Sequence, residues 1–281
     1  MERIGVIGLG RMGSAIAQRM QDQGHIVTTW TRSGRTLEGI PAAQDIAALI
    51  AACDVLVLSL LNDDAVAGVL DACLACDLTG KLIIETSTVV PTILQERISQ
   101  IDAKGAAAVD APISGGPELV AAGACGVFIG GDDTASARAQ NTLGAISGRI
   151  FHIGPLGTGL VMKTINNSML QCYISGLDDM MPLARRAGIP LETAIGILSG
   201  GPAGVPMIAD RIPKILGDDK TVGFTISAGH KDNDVFQRVA QAYGLTSLVL
   251  VHASERQKIA LMEGLADHDP AAMVSAAYNR G

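Results

Sequence analysis

A glycine-rich stretch, Gly8-Leu9-Gly10-Arg11-Met12-Gly13, directly follows the apolar run Ile4–Ile7. Where a strand turns into a helix, the first glycine of a G-x-G-x-x-G stretch allows a tight turn, and the second lets a pyrophosphate approach the backbone. The third lets the helix pack close to the strand, and the N–H groups at the start of that helix point at the phosphates. The stretch therefore predicts a dinucleotide-binding loop that uses all six residues.

The residues after Gly13 provide the context that this loop requires. Ser14–Gln23 has the pattern of an amphipathic helix, Gly24 is typical of a helix end, and Ile26–Trp30 is typical of a second strand. Together they complete a strand–helix–strand unit of about 30 residues, the size of a dinucleotide-binding unit. This context is far more specific than the glycines alone in a chain with 33 of them.

The residues after the second expected strand bear on the choice of nucleotide. An acidic residue there accepts the ribose 2′-OH of NAD, whereas an arginine accepts the 2′-phosphate of NADP. This chain has Thr31, Arg32 and Ser33, with Arg35 nearby and no acidic residue before Glu38. A guanidinium grips a phosphate bidentately, although an exposed arginine is also a common solvated surface charge. We predict a preference for NADP(H), with NAD(H) as a usable alternative.

The first half of the chain alternates short β-branched runs with alanine-rich helical segments. This alternation predicts an α/β domain of the Rossmann type, a doubly wound parallel sheet with helices on both faces. The expected strands are Ile4–Ile7, Ile26–Trp30, Val55–Leu60, Leu82–Glu85, Ala107–Ala111, Cys125–Ile129 and 149–153. The expected helices between them are Ser14–Gln23, Ile46–Ala51, Ala65–Cys76, Val90–Lys104 and Ala135–Ser147.

After Gly159 the apolar residues change to helical spacing, and no further strand is expected. Apolar residues at steps of three and four from Met162 to Ala184 predict one long helix that ends near Gly188. We expect a dinucleotide-binding domain over residues 1–156 and an all-helical domain over residues 157–281. The long apolar stripe is either core or an interface with a second subunit. Further helices are expected at Leu191–Leu198, Val205–Ile215, Gly229–Tyr243, Leu248–Glu263 and Pro270–Tyr278.

Composition narrows the possible partners. A net charge of −7 argues against nucleic acid or an anionic membrane as a general partner. No apolar run reaches the ~18 residues that a membrane span needs, and the first strand starts almost at once, which leaves no room for a secretory signal. We therefore expect a cytoplasmic protein that binds neither nucleic acid nor membrane.

The cysteines and histidines show no pattern of a disulfide or metal site. The 5 cysteines have no framework spacing, and the 5 histidines lack ligand spacing, so no metal is expected. Cys73 and Cys76 form a C-x-x-C, which is typical either of a redox pair or of small apolar residues on one helix face. We favour the second interpretation, because a thioredoxin-like context and a second C-x-x-C are both missing.

Residues in the middle of the chain suit a small anionic substrate. Ser114 offers a hydroxyl, and Gly115 and Gly116 let backbone N–H groups converge on a carboxylate. Lys163 and Asn167 are four residues apart, so they lie on one face of the long helix. A lysine beside an apolar stripe can have its charged form disfavoured, which favours proton transfer near neutral pH. The alternative for Lys163 is a surface lysine that extends its amine into water.

Several ordered motifs together resemble the β-hydroxyacid dehydrogenase family, which includes 3-hydroxyisobutyrate dehydrogenase and tartronate semialdehyde reductase. The resemblance covers essentially the whole chain. It rests on GLGRMG at 8–13, STVVP at 87–91, DAPISGG at 110–116, G-x-G-x-x-x-K-x-x-N-N at 157–167, and the Lys231-Asp232 pair.

The resemblance implies roles for individual residues. Lys163 is the catalytic acid and base, and Asn167 binds and orients the substrate. Ser114, Gly115 and Gly116 hold the substrate carboxylate. The resemblance further implies a 6-phosphogluconate dehydrogenase-like C-terminal domain and a homodimer or homotetramer built on the long helix. Cofactor contacts are expected from Leu60, Leu61, Thr88 and Lys231, with Asp232 supporting Lys231.

We therefore expect hydride transfer between NADP(H) and a short hydroxyacid or its semialdehyde, with Lys163 exchanging the proton. The loop Pro117–Gly123 departs from the family pattern, so the sequence leaves the identity of the substrate open, as it does the physiological direction. Imine reductases share the fold but usually lack the lysine. A non-catalytic NADP-binding sensor would keep the glycine stretch and Arg32 without needing Lys163, Asn167 or Ser114.

Overall fold

The computed structural model describes residues 2–281 and divides the chain into two compact units. The first unit reaches Thr164, and the second spans Ile165–Gly281. The division falls inside the long helix, whereas the sequence places the boundary between residues 156 and 157. The first turns of that helix are counted with the first unit because Leu160 and Lys163 hydrogen bond to residues of its sheet region.

The first unit contains an eight-stranded sheet with strand order β2-β1-β3-β4-β5-β7-β6, and β8 pairs with β7 outside this path. Strands β2, β1, β3, β4 and β5 are parallel, β7 runs antiparallel to β5 and β6, and β8 is parallel to β7. The structure therefore confirms the predicted Rossmann-type sheet. The strands are β1 (Arg3–Ile7), β2 (Ile26–Trp30), β3 (Val55–Leu58), β4 (Leu82–Glu85), β5 (Ala107–Asp110), β6 (Ile113–Ser114), β7 (Gly126–Gly130) and β8 (Arg149–Gly154).

Helices cover both faces of this sheet. Successive strand residues point to opposite faces, so Val6 belongs to one apolar core and Ile7 to the other. One core takes in Ile16 of α1, and the other takes in Leu49 of α2 and Leu70 of α3. The helices of the first unit are α1 (Arg11–Asp22), α2 (Ile46–Ala52), α3 (Asp63–Leu74), α4 (Thr92–Gln95), α5 (Ile98–Ala103), α6 (Pro117–Ala121) and α7 (Asp133–Leu143).

Two local features differ from the sequence expectation. The helix expected over Val90–Lys104 is split into α4 and α5, because the Arg97 N–H turns back to the Leu94 carbonyl and its guanidinium takes the Ile93 carbonyl. The second difference is the β6 strand and the α6 helix, neither of which was expected. β6 has only two residues, and a run this short has no readable period.

The second unit is helical throughout, and no strand occurs in residues 165–281. Its core includes Ile174, Leu177 and Met181 from the long helix, which confirms part of the predicted apolar stripe as core. Asp178, only 2% exposed, receives hydrogen bonds from Arg256 and Arg280. The helices are α8 (Thr158–Arg186), α9 (Leu191–Gly200), α10 (Pro206–Leu216), α11 (Ile226–Ala242), α12 (Leu248–Met262) and α13 (Ala271–Arg280).

A second part of the α8 stripe faces away from the core in the single chain. Ile165, Met169, Met180 and Leu183 are each more than half exposed. Large apolar side chains clustered on one exposed face are typical of an interaction surface. We call these four residues the outer α8 face.

The first cysteine of the C-x-x-C is buried, and the second is partly buried. All 5 cysteines are free thiols. Cys73 is buried among the apolar residues of α3, and this burial raises the pKa of its thiol to about 12. A thiol with so high a pKa carries almost no thiolate near neutral pH and is a poor nucleophile.

Over residues 2–281, no helix combines the length and the apolar character needed to cross a bilayer. In the same part of the chain, no group of three or more His, Cys, Asp or Glu side chains is placed to hold a metal ion.

Candidate active site and cofactor site

The glycine stretch forms the turn between β1 and α1. Gly8 has a φ of +98°, and a Cβ built there would collide with the Ser59 carbonyl oxygen. A Cβ at Gly13 would collide with the Gly8 carbonyl oxygen, whereas a Cβ at Gly10 has nothing within 4 Å. The first and third glycines are therefore required by the fold, and Gly10 leaves the backbone open to an incoming group.

The start of α1 has the features of a phosphate site. The helix begins at Arg11, and its N-cap residue Gly10 provides no side-chain hydrogen bond to the first turn. Leu9 is buried at 3% exposure, so its side chain does not cover the backbone of the stretch. Backbone N–H groups and the helix dipole at such an end attract anions. The residues present thus fit the pyrophosphate of a dinucleotide.

The end of β2 is tied to the same loop. The Gly8 N–H donates to the Trp30 carbonyl at 2.9 Å, so the residues after Trp30 lie next to the glycine stretch. The Gly34 N–H then closes a turn on the Thr31 carbonyl at 3.0 Å. Arg32 is exposed on this turn, and its side chain makes no hydrogen bond or ion pair with any other described residue. Its guanidinium is directed to solvent and can take up an anionic group there.

Arg35 shares this environment. It is exposed beyond Gly34, and it too has no hydrogen bond or ion pair within residues 2–281. The hydroxyls of Thr31 and Ser33 lie 3.4 Å apart across the turn. The segment after β2 therefore carries two exposed guanidinium groups and two neighbouring hydroxyls.

The ends of β3 and β4 form the neighbouring part of the same sheet edge. The Leu60 N–H donates to the Ser87 Oγ at 2.8 Å, which ties the two strand ends together. Leu61 is 75% exposed, and Thr88 is half-buried. The carboxyl ends of parallel strands are the usual place for ligands in open α/β sheets. The predicted cofactor residues Leu60, Leu61 and Thr88 all follow such ends.

The predicted carboxylate site lies on β6 and the turn after it. Ser114 ends β6 and is half-buried, and Gly115 has a φ of +130°. A residue with a Cβ is strained at this φ, so glycine is favoured there, and a Cβ would also stand 2.9 Å from the Leu119 Cδ1. Gly116 then precedes α6 as its N-cap residue and provides no side-chain cap. This hydroxyl and these backbone amides suit a small carboxylate.

The departure from the family pattern lies beside the glycine stretch. Glu118 of α6 forms an ion pair with Arg11 at 3.7 Å, and both side chains are more than half exposed. Leu119 packs under Gly115 while remaining 45% exposed. The loop change therefore affects residues next to both predicted binding segments.

Lys163 is buried rather than extended into water. Its side chain is 7% exposed, and its amine donates a hydrogen bond to the Ile113 carbonyl at 2.6 Å. Ile113 immediately precedes Ser114, so the amine reaches the strand that carries the predicted carboxylate site. The structure overturns the alternative of a surface lysine, because the amine is held by a backbone carbonyl inside the first unit.

Asp110 holds the start of α8. Its two carboxylate oxygens accept the N–H groups of Gly157 at 2.6 Å and Leu160 at 2.7 Å. A Cβ at Gly159 would stand 2.9 Å from the Asp110 Oδ2, so glycine there makes room for the carboxylate. Burial raises the pKa of Asp110 to about 6, although the hydrogen bonds from Gly157 and Leu160 act in the opposite direction.

Glu85 is a second buried carboxyl that sequence reasoning missed. It is 1% exposed at the end of β4, and its Oε1 accepts the Ser87 N–H at 2.8 Å. Burial raises the pKa of Glu85 to about 7; Asp110 raises it further, and Lys163 lowers it. The sequence shows only a glutamate at a strand end, which by itself carries no sign of burial.

The remaining predicted residues belong to the second unit. On α8, the Asn166 side-chain amide donates to the Asn167 Oδ1 at 2.9 Å. On α11, the Lys231 amine pairs with the Asp232 carboxylate at 2.8 Å. Asn233 is fully buried and donates to the Leu250 carbonyl of α12 at 3.1 Å. Asn233 thus links α11 to α12.

Comparisons with known proteins cover both parts of the chain. Residues 3–154 match the family model described as the NAD binding domain of 6-phosphogluconate dehydrogenase. Residues 157–277 match the model described as the NAD-binding domain of NADP-dependent 3-hydroxyisobutyrate dehydrogenase. The two matches lie side by side and together cover residues 3–277, apart from residues 155 and 156.

Individual relatives agree with these matches. An NAD-dependent L-serine dehydrogenase of Pseudomonas aeruginosa is 29% identical over 286 residues, which cover 96% of this chain and 95% of the relative. A 2-(hydroxymethyl)glutarate dehydrogenase of Eubacterium barkeri is 29% identical over 82% of this chain and 79% of its own length. The structure of Mycobacterium tuberculosis 3-hydroxyisobutyrate dehydrogenase with L-serine superimposes with a TM-score of 0.88 at 25% identity, covering 98% of this chain and 99% of that one.

The Rossmann-type sheet, the glycine turn between β1 and α1 and the two matched family models all indicate a protein that binds a nicotinamide dinucleotide. The relatives are dehydrogenases that act on hydroxyacids, and the similarity runs through both units of the chain. The chain belongs to the β-hydroxyacid dehydrogenase family, and it is an NAD(P)-dependent oxidoreductase of the 3-hydroxyisobutyrate dehydrogenase type.

Proposed function

We propose that this enzyme interconverts a short hydroxyacid and its semialdehyde with NADP(H), and that Lys163 exchanges the proton. The observation that supports this most strongly is the buried Lys163 amine, 2.6 Å from the Ile113 carbonyl beside Ser114. The nicotinamide, when bound, supplies or accepts the hydride. Lys163 gives a proton to the carbonyl oxygen during reduction and removes one from the hydroxyl during oxidation.

The substrate carboxylate binds at Ser114, Gly115 and Gly116. The left-handed backbone at Gly115 supports this role, because alternating backbone conformations turn successive N–H groups toward one anion. The serine, 3-hydroxyisobutyrate and 2-(hydroxymethyl)glutarate in the names of the relatives each carry a carboxylate and a CH–OH group. Asn167 then orients the substrate oxygen that exchanges its proton with Lys163.

Cofactor binding follows the carboxyl edge of the sheet. The stretch Gly8–Gly13 binds the pyrophosphate, and Thr31, Arg32 and Ser33 bind the 2′-phosphate of NADP(H). The exposed Arg32 and Arg35 support this preference, and one matched family model is described as NADP-dependent. The relative from P. aeruginosa is named as NAD-dependent, so the two nucleotides must be compared directly. Leu60, Leu61, Thr88 and Lys231 complete the proposed cofactor contacts.

The assembly is a homodimer or homotetramer built on the outer α8 face. Four large apolar side chains on that face are more than half exposed in the single chain. Burying such a face against a second copy removes apolar surface from water, at roughly 25 cal/mol per Å².

The test is oxidation of NADPH and NADH with a panel of carboxylated semialdehydes and cyclic imines. Lys163→Ala is compared with Lys258→Ala, which changes an exposed lysine on α12. We expect NADPH-dependent turnover of a carboxylated aldehyde, reduced on the order of 10²- to 10⁴-fold in Lys163→Ala and unchanged in Lys258→Ala.

Other outcomes separate the alternatives. Near-normal turnover in Lys163→Ala, with NADPH still bound, refutes the role of the lysine. Turnover of cyclic imines alone identifies an imine reductase. Tight NADPH binding without turnover of any substrate identifies a sensor.

A further inference from the structure

Glu85 is a buried carboxyl that has no role in the proposed reaction. It ends β4, where it pairs in register with Leu58 of β3 and Asp110 of β5. Its exposure is 1%. Removing a carboxylate from water is costly unless a nearby group compensates for the lost hydration. The apolar side chain of Leu58 cannot compensate for that loss. Any compensation must come from polar or charged groups, such as those on the side of β5 and Asp110.

The hydrogen bonds of Glu85 use only half of its carboxyl group. The Oε1 accepts the Ser87 N–H at 2.8 Å, while the buried Oε2 has no hydrogen-bond partner in residues 2–281. The neighbouring Asp110 uses both oxygens, one on Gly157 and one on Leu160. Among the buried carboxyls of the described chain, Glu85 therefore stands out by having an unused oxygen.

The charged groups that face Glu85 are Asp110 from β5 and Lys163 from α8. Asp110 bonds to Leu160, and Lys163 follows Leu160 by three residues, about one helical turn. The two carboxyls and the amine thus form one buried cluster at the carboxyl edge of the sheet. The carboxylate of Asp110 is compensated by helix N–H groups. The charge of Glu85 is compensated first by hydrogen bonds from Ser87 and then, through space, by the amine of Lys163.

We propose that Glu85 is a positioning residue for Lys163, which favours the charged form of the lysine amine from the end of β4. The inference rests on the proposed function only where it gives Lys163 the role of proton donor. Coupling between two titrating groups is reciprocal. Because Lys163 lowers the pKa of Glu85, an ionised Glu85 makes Lys163 hold its proton to higher pH by an equal free energy.

This coupling has a consequence for the reaction. Reduction needs a protonated lysine, so its rate falls as Lys163 loses its proton at alkaline pH. Burial raises the pKa of Glu85 to about 7, so Glu85 becomes charged just where an unsupported buried lysine starts to lose its proton. Glu85 therefore extends the pH range of reduction without touching the substrate.

The test follows the titration of the Lys163 amine by NMR of lysine side chains in the full chain without substrate. The signal is assigned by its disappearance in Lys163→Gln. Glu85→Gln keeps the size of the side chain and removes the charge, and Asp71→Asn removes an exposed carboxylate that pairs with Arg97. We expect the Lys163 midpoint to fall by about 1 pH unit in Glu85→Gln and to stay unchanged in Asp71→Asn.

An unchanged Lys163 midpoint in folded Glu85→Gln overturns the proposal, as does an equal shift in Asp71→Asn. If Glu85→Gln does not fold, the titration of Glu85 in Lys163→Gln tests the same coupling from the other residue. In Lys163→Gln, the carboxyl carbon of Glu85 is expected to titrate at higher pH than in the unchanged chain, and an unchanged midpoint overturns the proposal.

Neither titration midpoint depends on turnover. The coupling between Glu85 and Lys163 and the proposed function can therefore be refuted independently. A shifted midpoint in a protein that reduces no aldehyde preserves the coupling and refutes the proposed function. An unshifted midpoint in an active enzyme refutes the coupling alone. In an active enzyme, the alkaline limb of kcat is expected to move with the Lys163 midpoint, which a merely structural effect of Glu85→Gln does not produce.

Discussion

The Asp110 carboxylate accepts the backbone N–H of Leu160 at 2.7 Å, which joins the end of β5 to the first turn of α8. This contact sets where α8 starts, and Lys163 follows one turn later. The segment after Asp110 is held at its other end, because the Lys163 amine donates to the Ile113 carbonyl. A strand end and a helix start are thus joined at two points around the proposed catalytic amine.

Replacing Asp110 with Asn should affect both stability and turnover. The amide keeps one acceptor but turns a donor toward a helix N–H group, so a charged hydrogen bond worth about 1.5–3 kcal/mol is lost. We expect a lower free energy of unfolding and a kcat reduced on the order of 10²-fold, because small displacements of reacting groups are costly. Urea unfolding and steady-state kinetics measure the two effects, with the exposed Asp77→Asn as control. A folded Asp110→Asn enzyme with unchanged kcat would show that this contact does not position Lys163.

The exposed arginine after β2 should decide the choice of nucleotide. In Arg32→Asp, a favourable contact to the 2′-phosphate becomes a repulsive one, so we expect NADPH binding to weaken by about 10- to 100-fold. NADH lacks that phosphate and should change little. Fluorescence titration with both nucleotides gives the two dissociation constants. Lys220→Asp, an exposed loop variant with the same change in charge, should affect neither. Equal losses for NADPH and NADH would contradict the assignment.

The three glycines of the β1–α1 turn should separate into two classes. Gly13→Ala places a methyl group against the Gly8 carbonyl, so we expect a destabilised fold. Gly10→Ala meets no atom within 4 Å and should leave the stability nearly unchanged while weakening NADPH binding. Thermal unfolding and nucleotide titration distinguish the two effects. Undiminished nucleotide affinity in Gly10→Ala would place the pyrophosphate elsewhere.

Glu85 should make the protein less stable as the pH rises. Burial raises its pKa from 4.5 to about 7, so between these values the folded chain holds a proton that the unfolded chain has lost. The contribution is fully present below about 4.5 and declines as the pH rises through about 7, by about 3 kcal/mol in total. Glu85→Gln removes this titration. Urea unfolding across this pH range should therefore show the variant gaining stability relative to the unchanged chain, and parallel curves would contradict the raised pKa.

The outer α8 face should control assembly. Ile165→Glu puts a charge on a face that is proposed to be buried between subunits, so we expect dissociation toward the monomer. Ile26→Glu makes the same replacement at a comparably exposed position of the first unit, and it should leave the assembly intact. Sedimentation velocity over a range of concentrations measures both variants. An unchanged oligomer in Ile165→Glu would move the interface away from this face.

The fold class could be predicted from the sequence because its signals are local. The spacing of Gly8, Gly10 and Gly13 sets a backbone path within six residues. Alternating β-branched and alanine-rich segments set the order of strands and helices. The sequence did not predict β6 and α6. With two and five residues, these elements are too short to show the periodicity on which such predictions depend.

The candidate site was only partly visible in this way. Lys163 and Asn167 were found because a spacing of four residues places them on one helix face. The burial of Lys163 was not visible, because its partner Ile113 lies 50 residues earlier in the chain. Glu85 was missed altogether, since a glutamate at a strand end has the same sequence signature whether it is buried or exposed.

Short-range sterics and periodicity encode the glycine turn, the α/β order and the helical second half, so all three could be predicted from the pattern of amino acids. Which polar groups meet in the interior depends instead on the folded chain. Asp110 reaches Leu160 across 50 residues, and Glu85 stands beside Asp110 through strand register. Such contacts depend on how distant segments pack together, and packing is what sets the burial and protonation of Lys163, Asp110 and Glu85.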